Sequence, residues 1–216
     1  MTDQSVTSYI DLMPKIVDRE AKRVQILDAA IGCFARSGYE VTSMDDVAEA
    51  AKVSKGSLYD YFENKEDLFY AVFEHFQQSL LKTGVEQTRK QTGARRQLLA
   101  FTDVCVGALI EHTSIYPVML EVFAAAAKVH TRERFSAAMR TLYATYRTQV
   151  ARIIVQGQKQ GEFQRKADPN AIAGILVGAI DGLMLQYWLA PDFDPRGWAR
   201  NFMNTLLDGL AARTKR

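Results

Sequence analysis

Apolar side chains return every three or four positions along almost this whole 216-residue chain, and no run alternates at period two for long. Residues three and four apart share one face of an α-helix, whereas a strand needs strict alternation, so this spacing commits the chain to helices. From Arg23, the set Ile26, Ala30, Cys33 and Phe34 makes one face, and Gly38 is placed to end that helix in the left-handed conformation. Ser43 and Asp46 form a capping-box pair around Met44, Val47, Ala48 and Ala51, a helix of about two turns. Lys52-Val53 interrupts it, and Ser54 caps a further helix running through Phe62. Asn64 to Asp67 repeats the capping pattern ahead of Leu68, Phe69, Val72, Phe73, Phe76 and Leu80.

The second half predicts longer helices. Leu98, Phe101, Cys105, Leu109 and His112 mark one, and Pro117 opens another through Ala124–Ala127. Phe135, Met139, Leu142, Tyr146, Val150, Ile153 and Gly157 extend over roughly 25–30 residues, with Gly161 as the stop. Asp168-Pro169 and Asp194-Pro195 each read as an N-cap followed by proline in the first helical position, starting helices to about Leu189 and Leu210. The fold class is therefore all-α, with about nine helices: a small trihelical unit and a larger helical body. The boundaries drawn are an N-terminal arm over 1–20 whose order is left open, the small unit over 21–67, and the body over 68–216.

Composition narrows the function classes. An apolar share of 48% and a charged share of 24% belong to a soluble globular chain. Two cysteines, Cys33 and Cys105, are too few and too far apart for a disulfide framework or a zinc finger, and read first as small buried hydrophobes. Asp3 and Asp11 break the N-terminal stretch, so no secretory signal is expected and the compartment implied is reducing cytoplasm. His75, His112 and His130 fall on separate helices with no metal-ligand spacing, and neither a nucleophile elbow nor a phosphate-binding loop occurs. No metal, no cofactor and no catalytic residue are expected.

Charge is unevenly spread. Residues 1–75 carry 8 basic against 14 acidic side chains, a net of −6, whereas 76–166 carry 14 against 6, a net of +8. By charge alone a nucleic acid would sit on the middle segment. The motifs put it elsewhere. A short helix, a tight turn and a second short helix over Ser43–Phe62 make the layout of a helix-turn-helix, whose second helix enters the DNA major groove. The stretch from Gly38-Tyr39 through Val53-Ser54-Lys55-Gly56, Leu58-Tyr59-Asp60-Tyr61-Phe62 and Asn64-Lys65-Glu66 resembles the TetR/AcrR family of one-component transcriptional repressors, in detail over roughly residues 23–75.

The resemblance implies DNA contacts at Thr42, Ser43, Ser54, Lys55, Gly56, Ser57, Tyr59, Tyr61 and Lys65. The chemistry of those residues agrees. Lys55 can donate to guanine or phosphate, Ser57 to either, Tyr59 offers a ring to a thymine methyl, and Gly56 lets backbone approach the groove. Thr42, Ser43 and Lys65 sit at helix starts, where free amides seat phosphates. Many members of the family have glycine where this chain has Lys52, and a positive φ there would cost on the order of 1 kcal/mol. Asp60 should point away from phosphates or accept from cytosine.

In the helix from Pro169, Gly174, Gly178 and Gly182 recur every four residues, which permits close helix approach. Its apolar run before Asp181 is too short for a bilayer, so no membrane is expected. The resemblance implies that the last two helices pair with their copies, with Gly174, Gly178, Gly182, Phe202 and Leu206 at the face of a homodimer. It also implies an effector cavity in the body. Its candidate lining is Phe101, Cys105, Leu109, Tyr116, Met119, Phe123, Met139, Tyr143, Tyr146, Asp181, Tyr187 and Trp188. An aromatic stripe of this kind is also what a core looks like. Asp181 either meets a cationic or hydroxylated ligand or accepts bonds from a neighbouring helix. The expected function is a repressor released from double-stranded operator DNA by a small apolar or amphipathic effector; the alternative is a dimeric helical binding module without operator binding. If the phosphate contacts are right, operator affinity falls steeply between low and moderate salt; a flat profile in fluorescence anisotropy contradicts them.

Overall fold

The computed structural model describes residues 5–111, 113, 115–128 and 132–212. Among them are nine helices: α1 Ser5–Val41, α2 Met44–Ala50, α3 Lys55–Tyr59, α4 Lys65–Arg89, α5 Ala94–Glu111, α6 Ile115–Ala127, α7 Arg132–Lys159, α8 Pro169–Leu189 and α9 Pro195–Leu210. The one β-type pairing among the described residues is an isolated antiparallel bridge between Phe163 and Ala211. Two compact units result. The first holds the described residues through His75 together with Pro117–Glu121; the second holds Phe76–Tyr116 and the chain from Val122.

The helix periods of the sequence become the two cores. In the first unit Ile26, Leu27, Ala30 and Phe34 of α1 are buried with Val47 and Ala48 of α2, Leu58 of α3, Phe62, and Leu68, Phe69 and Val72 of α4. Phe34 meets Phe69 edge-on at 5.2 Å between ring centres, and Tyr39 lies 4.8 Å from the same ring. Each fully buried Val, Leu, Ile or Phe among them contributes about 1.5–3 kcal/mol of transfer free energy. In the second unit α7 packs along α8 and α5 along α9, with α5 also against α7 and α8. Gly157 permits a close approach there: a Cβ at this position would meet the Phe163 ring first and lie 2.7 Å from the Ala94 Cβ.

Helix ends follow the capping residues with instructive exceptions. Ser43 accepts from the Asp46 amide at 3.1 Å while the Asp46 carboxylate accepts from the Ser43 amide at 2.8 Å, a complete capping box. Asn64 caps the start of α4 by accepting from the Asp67 amide at 2.9 Å, and Asp168 caps α8 through Asn170 and Ala171. Asp194 makes no side-chain capping bond, so α9 starts on proline and backbone geometry alone. The third helix ends at Tyr59 rather than Phe62, and α6 begins at Ile115, two residues before Pro117, whose missing N–H is harmless in a first turn. His112 and His130 lie outside the described residues.

Two backbone positions carry strain or avoid it. Gly38 does not adopt the left-handed helical conformation expected of it: φ is 75° and ψ 167°, a region essentially restricted to glycine. Lys52 does take a positive φ, 55°, in the turn between α2 and α3. Replacing Gly38 by Ala is therefore expected to destabilise the chain by about 1–3 kcal/mol. Lys52→Gly is expected to stabilise it by up to about 1 kcal/mol, after the flexibility glycine adds to the unfolded chain. Urea midpoints of the two variants, moving in opposite directions, are the check.

Candidate nucleic-acid interface

The helix-turn-helix is built by α2, the turn Ala51–Ser54 and α3. Ser54 caps α3, its hydroxyl accepting from the Ser57 amide at 3.1 Å. Leu58 anchors the helix in the core, which leaves Ser54, Lys55, Gly56 and Tyr59 on the exposed side with Ser57 half-buried among them. A Cβ at Gly56 would meet nothing within 4 Å, so this stretch of backbone is open to an approaching molecule. Tyr61 lies at the flank, half-buried, with the Arg19 guanidinium 5.6 Å above its ring.

Two expected DNA contacts are corrected. Thr42 is only 2% exposed, and its hydroxyl donates to the carbonyls of Gly38 at 2.8 Å and Cys33 at 3.3 Å. It seals the end of α1 and has no donor left for a phosphate. Lys65 turns inward as well: its ammonium donates to the carbonyls of Tyr39 at 2.8 Å and Glu40 at 3.1 Å and sits 4.6 Å over the Tyr39 ring. A helix start offered both residues as phosphate seats; Thr42 is closed off by the turn after Gly38, whereas Lys65 spends two of its three N–H donors there. Ser43 remains exposed but is committed to its capping box, which holds the Asp46 carboxyl below its ordinary value.

Sequence reasoning missed three features. Lys55 is paired with Asp45, at 2.8 Å to the nearer oxygen, and that carboxylate raises the lysine pKa. Gln25 of α1 donates to the Ala51 carbonyl at 2.8 Å and so fixes the turn from behind. The amide of Tyr39 points between both oxygens of Glu121, 2.9 Å from each. The Lys55–Asp45 pair was within reach of sequence reasoning, since both residues belong to one helix-turn-helix. The Glu121 contact, across 82 positions, was not.

In the second unit the expected effector residues split. Phe101, Cys105 and Met139 are buried as core, Phe101 against the Tyr146 ring at 6.0 Å. Leu109, Tyr116 and Tyr187 pack on the cluster of Val106, Met184 and Ala199, and Phe123 is largely exposed. Met119 belongs to the first unit. A coherent set gathers at Asp181, which accepts from the Tyr143 hydroxyl at 2.7 Å. Burial raises its carboxyl pKa against the opposing pull of that bond. Its charge in turn reaches Tyr116, Tyr146 and Cys105, whose thiol is pushed up to about 12 by burial and then by Asp181. Tyr116 also stacks near Trp188, at 5.6 Å. Among the described residues no group of three His, Cys, Asp or Glu is placed to hold a metal ion.

The residues expected at a dimer face differ in how open they are. Cβ atoms at Gly178 and Gly182 would meet nothing, whereas Gly174 faces Arg147 of α7. Leu206 is half-buried, and Phe202 is exposed beside Trp198. The membrane argument needs correction too. The count stopped at Asp181, but α8 runs on to Leu189, and its 21 residues are long and apolar enough to cross a bilayer by length and composition.

Comparison with known proteins decides the family. Residues 26–72 match the model for bacterial regulatory proteins of the tetR family, and residues 94–212 match the C-terminal model for BetI-type transcriptional repressors. The chain belongs to the TetR family. It is a helix-turn-helix transcriptional regulator. The regulator BetI of Paraburkholderia phymatum is 28% identical to it over 94% of this chain and 99% of its own length. The fold is shared with a transcriptional regulator from Saccharomonospora viridis in complex with choline, at 24% identity, a TM-score of 0.72, and 90% and 100% of the two chains covered. It is shared also with FadR from Bacillus subtilis in complex with stearoyl-CoA, at 20% identity, a TM-score of 0.72, and 87% and 98% coverage.

Because Asp45 competes with DNA for Lys55, Asp45→Asn is expected to tighten operator binding several-fold and to steepen its salt dependence by about one ion released per strand contacted. Lys55→Ala moves both the other way. Anisotropy titrations at two salt concentrations read the pair.

Proposed function

We propose that this TetR-family regulator is a homodimeric repressor of the cytoplasm that leaves its operator when an organic cation binds beside Asp181. The observation that carries this is a carboxylate on an otherwise apolar helix, with no basic partner among the described residues. Asp181 is exposed on α8 and held by a single tyrosine hydroxyl, so its carboxylate is open to a charge-assisted contact with a cation. Tyr143, Tyr116 and Trp188 supply aromatic faces of the kind that attract alkylammonium groups, each worth about 0.5–2 kcal/mol. A cation with an apolar body fits the small amphipathic effector the sequence implies, and choline occupies the Saccharomonospora relative.

The dimer reading rests on an open seam. Ile175, Gly178, Gly182, Leu185 and Leu189 recur at three and four on α8, and Ile175 and Leu189 are 73% and 67% exposed. On α9, Trp198 and Phe202 are four apart, and Trp198 is 56% exposed. Self-complementary helices closing a four-helix interface would cover this seam and present two recognition helices to two half-sites. The same apolar surface that gives α8 its membrane-like composition then serves a second copy of the chain.

Release follows as a population shift. Tyr116 and Glu121 lie five positions apart on α6, and Glu121 holds the Tyr39 amide beside the helix-turn-helix. A cation that repositions Tyr116 acts on that grip through one short helix, while α4 gives the second continuous connection. The recognition residues carried forward are Ser54, Lys55, Gly56, Ser57 and Tyr59, with Ser43 and Tyr61 flanking. The role is binding, with no catalytic step.

The sign of the Asp181 effect separates function from structure. Its raised pKa means that the folded chain holds the proton more tightly than the unfolded one. The ionised form is destabilising above the raised value, and the effect vanishes below the ordinary carboxylate pKa. Asp181→Asn should therefore raise the melting temperature at pH 7 and leave it unchanged at pH 3, while abolishing release by quaternary ammonium probes such as choline. Retained release with the variant overturns the cation reading. Phe202→Glu should give a monomer in sedimentation velocity with operator binding reduced at least tenfold; a dimer would contradict the seam.

A further inference from the structure

The repressor reading leaves the groove between α5 and α9 unused. It has a volume of about 290 Å³. That volume is at the small end of organic-ligand sites. Its walls are of two kinds. Leu99, Ala100, Val106, Ala199 and Met203 form an apolar floor, while Arg96, Arg196 and Arg200 stand against the single carboxylate of Asp103.

The carboxylate does not satisfy the arginines. Asp103 lies 3.4 Å from Arg200 and 3.9 Å from Arg196, and Arg196 also reaches Glu111 at 3.5 Å. Arg96 spends only its Nε–H, on the Thr92 carbonyl at 2.9 Å, and has no acidic partner among the described residues. Its remaining guanidinium donors form the planar fork that pairs with an oxyanion.

An independent observation comes from Thr102, which lines the same groove and is 4% exposed. Its hydroxyl is buried with no hydrogen-bond partner. Other helical threonines here donate back to the carbonyl four residues earlier: Thr88 to Gly84 at 2.7 Å, Thr145 to Thr141 at 2.8 Å and Thr205 to Asn201 at 3.1 Å. A buried hydroxyl left without a partner is destabilising; this one lies beneath the walls of both the α5–α9 groove and the neighbouring α8–α9 hollow.

We infer that the α5–α9 groove binds a small organic anion, its acidic head on Arg96 and Arg200 and its apolar body on the Leu99–Val106–Met203 floor. On α9, Arg196 and Arg200 line the groove and Trp198 and Phe202 line a neighbouring hollow with α8, while Ala199 and Met203 lie between and line both. The inference does not rest on the cation reading, because Asp181 is not among the lining residues.

Octanoate is the probe, titrated calorimetrically into the full-length protein, with octanol and octyltrimethylammonium as neutral and cationic partners of the same tail. Saturable binding of octanoate at one site per chain is expected, at least tenfold tighter than either partner. Arg96→Ala combined with Arg200→Ala should weaken it at least tenfold, with the circular-dichroism melt and probe-free operator affinity confirming the fold. Asp103→Asn should tighten it, and Asp181→Asn should leave it unchanged. Octanol binding as tightly as octanoate, or undiminished octanoate binding in the double variant, overturns the site. Loss of octanoate binding in Asp181→Asn would also overturn it, by placing the anion elsewhere.

Discussion

The backbone at Tyr39 is gripped from two sides, and the DNA-reading unit is organised around that grip. Its amide donates to both oxygens of Glu121, its carbonyl receives the Lys65 ammonium, and its ring lies under the same ammonium. Hydrogen bonds with one ionised partner are roughly twice as strong as neutral ones, so this short turn is held more firmly than its length suggests. Gly38 makes the turn possible by taking a conformation closed to other residues, and a side chain there would also crowd Glu121. Thr42 then closes the end of α1 through the Gly38 and Cys33 carbonyls. Once α1, α4 and the Glu121 segment meet at one residue, the positions of α2 and α3 follow from their own caps and buried faces.

This arrangement explains how a DNA-binding unit tolerates a net charge of −6 over the first 75 residues. Much of the acid is structural. Asp46 belongs to a capping box, Asp67 accepts from the Glu63 amide at the start of α4, and Glu66 shares that first turn, where the helix dipole favours it. Asp45 is different, because it pairs with Lys55 at 2.8 Å on the exposed side of the helix-turn-helix. The exposed face of α3 is thus partly self-screened by an ion pair. Such a pair is weak, so it tunes affinity without blocking binding.

The second unit divides its work by helix face. On α8, Leu176, Val177 and Met184 fill the core, Asp181 turns toward Tyr143 of α7, and Gly178 and Gly182 face outward. On α9, Met203 and Leu207 are buried, Trp198 and Phe202 are open, and Arg196 and Arg200 line the groove with α5. One period of 3.6 residues therefore serves a core, a polar site and an open seam at once. The apolar residues of α8 point in every direction, and the interior of its own chain receives only some of them.

Helix identity was legible from sequence because it depends on local periodicity and on capping residues within four positions of the amides they serve. Ser43, Ser54, Asn64 and Asp168 all cap where the sequence placed them. The recognition helix was legible for the same reason, and so was the left-handed strain at Lys52 once the family pattern was seen. Sequence could not assign partners across long separations. Whether Lys65 met a phosphate or the Tyr39 carbonyl, whether the Thr42 hydroxyl was free, and which tyrosine found Asp181 were competitions between equally plausible local chemistries. Tertiary structure decided them by proximity: 82 positions bring Glu121 to Tyr39, and 38 bring Tyr143 to Asp181. Residue type and spacing set what each side chain can do, and the folded chain alone sets which neighbour it does it with.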